Sequence, residues 1–201
     1  MNNSFIVFDG PDGSGKSTLS RALAESLRQM GRNVLLTYEP TNTSAASQAV
    51  RRYLSGEYHV DPRVLSDLFT KDREEHVASV ILPQLSQNGV VICDRYKYSA
   101  LVYQRLQGVD PDYLVRCNAA FPVPDLVFVL IPGSVDVLMD RIAQLGEAET
   151  VFEERSFLSQ TISMYKQLPA FFPNERFAFL DAELPMKQNL SLVETYILKQ
   201  D

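Results

Sequence analysis

The sequence predicts a three-layer α/β fold: a five-stranded parallel sheet with helices on both faces. Three observations carry this expectation. Short apolar runs alternate with longer amphipathic stretches, the central runs are apolar almost throughout, and a glycine-rich loop separates the first run from the first helical stretch. Strands covered on both faces lose the in–out alternation of a half-exposed strand. Strand–helix alternation in turn favours a parallel sheet with helices laid across it.

The strands are expected over 4–8 (SFIVF), 33–37 (NVLLT), 90–93 (VVIC), 126–131 (LVFVLI) and 177–180 (FAFL). Amphipathic patterns predict helices over 16–30, 45–55, 62–88, 134–144, 155–168 and 191–199. Gly31 and Gly89 stand where helix C-caps belong, each ahead of a strand. The stretch 145–154 (LGEAETVFEE) is acidic and poorly periodic, and reads as a mobile loop. With no repeat, low-complexity tract or linker, residues 1–201 read as one domain.

Composition narrows the function. The chain has 201 residues, 45% hydrophobic and 22% charged, ordinary for a globular protein with one core. No run approaches the length of a membrane span, and the opening residues have neither a basic stretch nor a cleavable apolar run. Two cysteines are too few for a disulfide framework or a metal cage, so the cytoplasm is the expected location. A formal net charge of −6 argues against sequence-independent nucleic-acid binding. A small anionic ligand stays open, because a local cluster of arginines can outweigh the overall sign.

The loop Gly10-Pro11-Asp12-Gly13-Ser14-Gly15-Lys16-Ser17 matches G-x-x-x-x-G-K-[ST] in full, and Thr18 follows it on the helix. Gly13 and Gly15 allow positive φ, so that successive amides converge on a phosphate. Lys16 brings charge to the group transferred, Ser17 offers a hydroxyl to Mg²⁺, and the helix aims its positive end at the anion. The plain alternative is a flexible turn, but the motif follows an expected strand and opens an expected helix. Residues 10–18 are therefore expected to bind a nucleoside triphosphate.

The third strand ends Cys93-Asp94-Arg95-Tyr96, which puts a carboxylate and an arginine at the ligand-binding edge of a parallel sheet. No N-K-x-D for guanine and no D-E ending of a motor ATPase appears; a small-molecule kinase remains. CDRYKYSALVYQ (93–104), LFTKDREEH (68–76), the YEPT turn and PDLVFVL resemble the thymidylate kinase family in order and spacing, over essentially the whole chain. The family's D-R-Y/H-x-x-S-x-x-A-Y-Q is matched at Asp94, Arg95, Tyr96, Ser99, Tyr103 and Gln104, and its F-x-x-x-R at Phe69 and Arg73.

The resemblance implies a P-loop kinase fold, ATP with Mg²⁺ as donor, dTMP as acceptor and dTDP as product, on the way to dTTP. It also implies a homodimer. By the same carry-over Phe69 stacks on thymine and Arg73 reads its edge. Arg95 holds the acceptor phosphate, Asp94 joins Ser17 around Mg²⁺, and Asp12 meets the 3′-hydroxyl. Glu39, Ser99, Tyr103 and Gln104 line the acceptor pocket, and Arg141 lies near ATP. Helix spacing agrees in part: Phe69 and Arg73, four apart, share a face, with His76 nearly on it. A core Phe69, a surface Arg73, an Asp94–Arg95 strand-end ion pair, a loop-capping Asp12 and helix packing at Tyr103 and Gln104 are the plainer readings.

Two departures stand out. Where the family commonly has T-R-E-P, this chain has Thr37-Tyr38-Glu39-Pro40, without the phosphate-binding arginine. The family also places a catalytic arginine in the P-loop or in the lid, expected here over 142–155. This chain has Gly13 in the loop and no basic residue over 145–154, which leaves Arg155 as the candidate replacement. A deoxynucleoside kinase, with Glu39 as its base, is the alternative, though E-R-S would be usual where this chain has Asp94-Arg95-Tyr96. A nucleotide-binding protein with weak or lost turnover is another.

Overall fold

The computed structural model describes residues 3–145 and 155–198. Five strands, β1 (Ser4–Asp9), β2 (Val34–Tyr38), β3 (Val90–Asp94), β4 (Leu126–Ile131) and β5 (Phe177–Asp181), form one sheet in the order β2-β3-β1-β4-β5. Every pairing is parallel, with Ile6 of β1 opposite Ile92 on one side and Leu126 on the other. The three strands β1, β3 and β5 each run one residue past their apolar stretch, to Asp9, Asp94 and Asp181. Pairing is made by backbone groups, so the ladder continues through a residue that the apolar pattern excludes.

The helices are α1 (Lys16–Gln29), α2 (Ala45–Leu54), α3 (Pro62–His76), α4 (Leu82–Ser86), α5 (Lys97–Leu106), α6 (Pro111–Asn118), α7 (Val135–Leu145), α8 (Arg155–Lys166), α9 (Leu168–Phe171) and α10 (Met186–Leu198). Alternate strand residues feed opposite layers. Ile6 and Phe8 pack with Leu19, Leu23 and Leu27 of α1 and Val193 of α10. Phe5 and Val7 join Val50 of α2, Leu65 of α3, Leu101 of α5 and Tyr165 of α8. The core is thus two apolar layers separated by the sheet.

Several elements differ from the sequence expectation, each for a local reason. The segment α5 was not anticipated, because Lys97, Tyr98 and all of 100–104 are buried, so no polar face marks a helical period. Helix α6 is only eight residues long, too short to show a period, although Asp110 caps it and Pro111 opens it. The expected helix 62–88 is interrupted by a π-turn at Val77–Ile81. Pro83, just beyond, has no amide to return to Ser79 and crowds that carbonyl, which accounts for the widened turn. Pro169 likewise has no amide to return to Tyr165, so α8 ends at Lys166, two residues short of the expected 168, and the short α9 follows.

Helix α10 starts five residues early, where Pro185 O receives the amides of Gln188 and Asn189; its polar first turn hides the start. Gly31 has φ of 79° and caps α1 as expected, but before β3 the left-handed residue is Asn88, at 57°. Gly89 is required for another reason, since a Cβ there would lie 2.9 Å from Gln84 O. Most of the expected lid, 146–154, lies outside the described residues.

The crossover from β1 leaves toward β2 at one edge, whereas those from its neighbours β3 and β4 leave the opposite way, toward β4 and β5. The loop after β1 therefore opens at the switch point of the sheet, where the C-terminal ends of β1, β3 and β4 form a crevice.

Candidate active site

The loop after β1 is shaped by three glycines with φ of 145° (Gly10), 74° (Gly13) and 91° (Gly15). At Gly10 a side chain is also excluded sterically: its Cβ would stand 2.6 Å from Leu130 O of β4. Gly15 is the N-cap of α1, whose first residue, Lys16, is buried. Lys16 Nζ reaches Pro11 O and Asp12 Oδ1, both at 3.4 Å. Burial and the nearby Arg95 pull its pKa down, opposed by Asp12, Asp94 and Asp9.

Asp9, at the end of β1, organises the floor of the site. It is fully buried and accepts from Tyr165 OH at 2.7 Å, Ser99 Oγ at 2.6 Å and the amides of Gly10, Tyr96 and Ser99. Sequence reasoning missed it, although a carboxylate immediately before the loop was visible. Burial and the Asp9 charge together raise the Tyr165 phenol well above its ordinary pKa, which keeps it a neutral donor.

Arg95 follows β3 in the left-handed region, φ 69°, a conformation that costs a non-glycine residue on the order of 1 kcal/mol or more. That turn carries the guanidinium back over the loop. Nη1 donates to Ser99 Oγ at 2.8 Å and Gly10 O at 3.3 Å, and Nη2 to Asp12 Oδ1. The Tyr103 ring lies beneath it, 5.4 Å from centroid to guanidinium carbon. Burial opposes the charge on Arg95, but Asp12, Tyr103, Tyr165 and Asp9 together outweigh it and raise its pKa well above the ordinary value. For Asp12 burial likewise pushes upward, while Arg95 and Lys16 prevail and hold the carboxyl well below the usual range. Its side chain is still 47% exposed to the open cavity, so solvent screens this network.

The YEPT turn leaves β2 through a cis Glu39–Pro40 bond. Both Glu39 oxygens are occupied: Oε2 by Arg73 Nε at 2.7 Å and Oε1 by His76 Nδ1 at 3.0 Å. His76 Nε2 meets Thr37 Oγ1 at 2.7 Å. Arg73 is therefore no surface arginine; it is 1% exposed, lies near the rings of Tyr96 and Phe121, and donates to Asn118 Oδ1 at 2.6 Å. The turn is also pinned by buried Asp72, which takes Thr41 N at 2.7 Å and the hydroxyls of Thr41 and Ser44.

Glu39, His76 and Cys93 make the single acid/His/Cys cluster compact enough for a metal among the described residues. Its carboxylate oxygens and ring nitrogens are already hydrogen-bonded, so it is a relay that braces Arg73. Asp94 is different. Its Oδ1 is buried without a partner among the described residues, and it lies close enough to Lys16 to influence its charge.

One cavity of about 750 Å³ joins these groups. At one end it is walled by Phe69, Arg73, Tyr103 and Gln104, and at the other by Arg141, Gln144, Leu184 and Met186, with Lys16, Ser17, Thr18 and Arg95 between. Gln104 is buried, and its Oε1 has no partner among the described residues. Arg141 donates to Gly13 O at 3.3 Å and Ala182 O at 2.9 Å, tying the loop to the segment after β5, which sequence reasoning did not assign. Phe69 both lines the cavity and packs on the core, so its two readings are compatible.

Arg155 is not brought in. It does not line the cavity, its side chain is 61% exposed, and it pairs with Asp136 at the start of α7. A P-loop arginine in place of Gly13 would be strained at its φ of 74°. A Cβ there would press on Ile142 at 3.2 Å and Leu138 O at 3.3 Å, because α7 lies directly over the loop.

A phosphate-cradling loop at the switch point, within one cavity that also meets Arg73, Arg95 and Arg141, defines a P-loop phosphotransferase. The comparisons give the particular family. The thymidylate kinase profile matches residues 8–193. A protein of Pyrococcus horikoshii described as a probable thymidylate kinase is 40% identical over 182 residues, which are 88% of this chain and 87% of that one. One from Thermococcus kodakarensis, described likewise, is 36% identical over 96% of this chain and 98% of its own. A thymidylate kinase of Desulfotalea psychrophila is 34% identical over 81% and 80%. The chain belongs to the thymidylate kinase family.

Proposed function

We infer that the chain transfers the terminal phosphoryl group of ATP to the phosphate of dTMP, making dTDP as a step toward dTTP. The observation that carries this reading is the Arg95–Asp12 pair, which stands between the triphosphate loop and the Phe69/Arg73 pocket within one cavity. An acceptor phosphate entering beside Arg95 takes the place of the Asp12 carboxylate, a planar fork being suited to phosphate oxygens. Asp12 is then released toward the 3′-hydroxyl of the sugar. Tyr103, whose OH already reaches Asp12 Oδ2 at 3.3 Å, closes the side on which a 2′-hydroxyl would project. Phe69 stacks on the base, while Arg73 and Gln104 supply a donor and an acceptor to its edge.

No side chain has to take a proton. The acceptor phosphate, with a second pKa of about 6, is already a dianion near neutral pH. The chain's work is to align two anions and offset their charge. The loop amides and Lys16 hold the β- and γ-phosphates, Arg95 holds the acceptor, and Arg141 stands at the donor base. The chemistry Mg²⁺ would supply here is neutralisation of charge on the triphosphate. The exposed Ser17 hydroxyl and Asp94 are the residues that would hold it, and the unpartnered Asp94 Oδ1 suits a metal-bound water. Glu39, with both oxygens engaged, is unsuited to act as the base of a nucleoside kinase.

The test is ADP release from ATP with dTMP, dUMP, dCMP and thymidine offered in turn. dTMP should be far the best acceptor. Faster turnover of thymidine, abolished in Glu39→Gln, would move the chain to the nucleoside kinases. A homodimer and a cytoplasmic location accompany this reading. Light scattering and fractionation test them; among the described residues no helix is long and apolar enough to cross a membrane.

A further inference from the structure

Arg73 has three guanidinium nitrogens, and the chain itself engages two of them. Nε donates to Glu39 and Nη1 to Asn118, while Nη2 has no hydrogen-bond partner among the described residues. Asn118 is the last residue of α6 and only 2% exposed. Its amide orientation follows from its neighbours: Nδ2 donates to Leu114 O, one helical turn back, at 2.8 Å, which leaves Oδ1 for Arg73. One side chain thus folds back on its own helix and grips the arginine of α3.

A guanidinium is a flat, rigid fork, so two contacts on different nitrogens determine both its plane and its rotation. Glu39 alone would fix one edge and let the group swing about that contact. Two nearby rings, Tyr96 at 5.3 Å and Phe121 at 5.9 Å from the guanidinium carbon, restrict its tilt without fixing its rotation. We propose that Asn118 is a positioning residue for acceptor choice: with Glu39 it orients Arg73 so that Nη2 is the donor left for a base carbonyl in the cavity. This rests on the reading of the Phe69/Arg73 pocket as the acceptor-base site. The chemistry selected is a pyrimidine with a carbonyl at the edge Arg73 meets; an amino group there would bring donor against donor.

The test is steady-state kinetics of the whole chain with Asn118→Leu, Asn118→Asp, Arg73→Ala and the Arg73→Ala/Asn118→Leu double variant. Asn118→Leu should raise the KM for dTMP about tenfold, leave the KM for ATP within twofold, and lower the preference for dTMP over dCMP. Asn118→Asp keeps an acceptor oxygen toward Arg73 and gives up only the donor toward Leu114 O, so its dTMP KM should stay within threefold of wild type. In the Arg73→Ala background, Asn118→Leu should add no further change. A purely structural Asn118 would instead raise both KM values together, make Asp as damaging as Leu, or act without Arg73; any of these overturns the proposal. Should the leucine variant not fold, a tenfold rise in dTMP KM for Asn118→Asp overturns it alone. If Arg73→Ala itself leaves the dTMP KM unchanged, the acceptor-pocket reading fails. A change in Arg73→Ala without one in Asn118→Leu sinks only the role of Asn118.

Discussion

At the Phe69/Arg73 end of the cavity, proposed for the acceptor, the charged side chains are held by other side chains: Arg73 by Glu39 and Asn118, and Glu39 by His76. At the opposite end, proposed for the donor, the holding contacts are to the backbone. Arg141 reaches the carbonyls of Gly13 and Ala182, and the three loop glycines take positive φ that sets the course of the loop amides. The difference separates two kinds of recognition. Backbone amides read a phosphate and are indifferent to the base attached to it. A braced side-chain donor discriminates sharply, because the wrong base leaves buried polar groups unpaired.

The largest effect should come from the element both ends share. Lys16→Ala is expected to lower kcat by roughly a thousandfold or more, the scale on which a cation at the transferred phosphoryl group acts. Circular dichroism should show the fold intact. Wild-type-like turnover by a folded variant would remove the loop from catalysis.

Exchanging substrates tests the contrast directly. Replacing dTMP by dCMP should lower kcat/KM by at least about a hundredfold, the scale of about 3 kcal/mol for a buried donor left unpaired. Replacing ATP by GTP should cost about tenfold or less. A donor preference as steep as the acceptor preference would mean that the donor base is read by side chains too.

A smaller effect concerns Asp12. Its carboxyl is held below the usual range by Arg95 and Lys16 despite burial, whereas in the unfolded chain it titrates near 4, about the ordinary aspartate value. A depressed folded pKa stabilises the fold fully above the unfolded value, and that contribution is lost as pH falls below it toward the folded one. Asp12→Asn should therefore flatten the acid side of a plot of Tm against pH below about pH 4. An unchanged slope would show that the pair does not couple to folding.

The smallest effect is expected at Arg155. It is exposed, paired with Asp136 and outside the cavity, so Arg155→Ala should leave kcat within about twofold of wild type, as for an ordinary surface ion pair. A tenfold fall would return Arg155 to the mechanism as the replacement for the missing lid arginine.

The sequence by itself determined what depends on short-range order. The loop motif needs three glycines and a lysine at set spacing, the strands need apolar runs, and Phe69 and Arg73 share a face because a helix repeats nearly every four residues. The tertiary structure decided which distant groups meet. Asp9 binds Tyr165 across 156 positions and Arg73 binds Asn118 across 45, contacts that no local pattern encodes. Packing also withheld information. Helix α5 carries Ser99, Tyr103 and Gln104, yet burial on all sides left it without the polar face that announces a helix. Arg155 and Arg73 are both arginines at helical positions. Only the side-chain surroundings, Asp136 in solvent for one and Glu39 with Asn118 in the interior for the other, separate a surface charge from a braced donor.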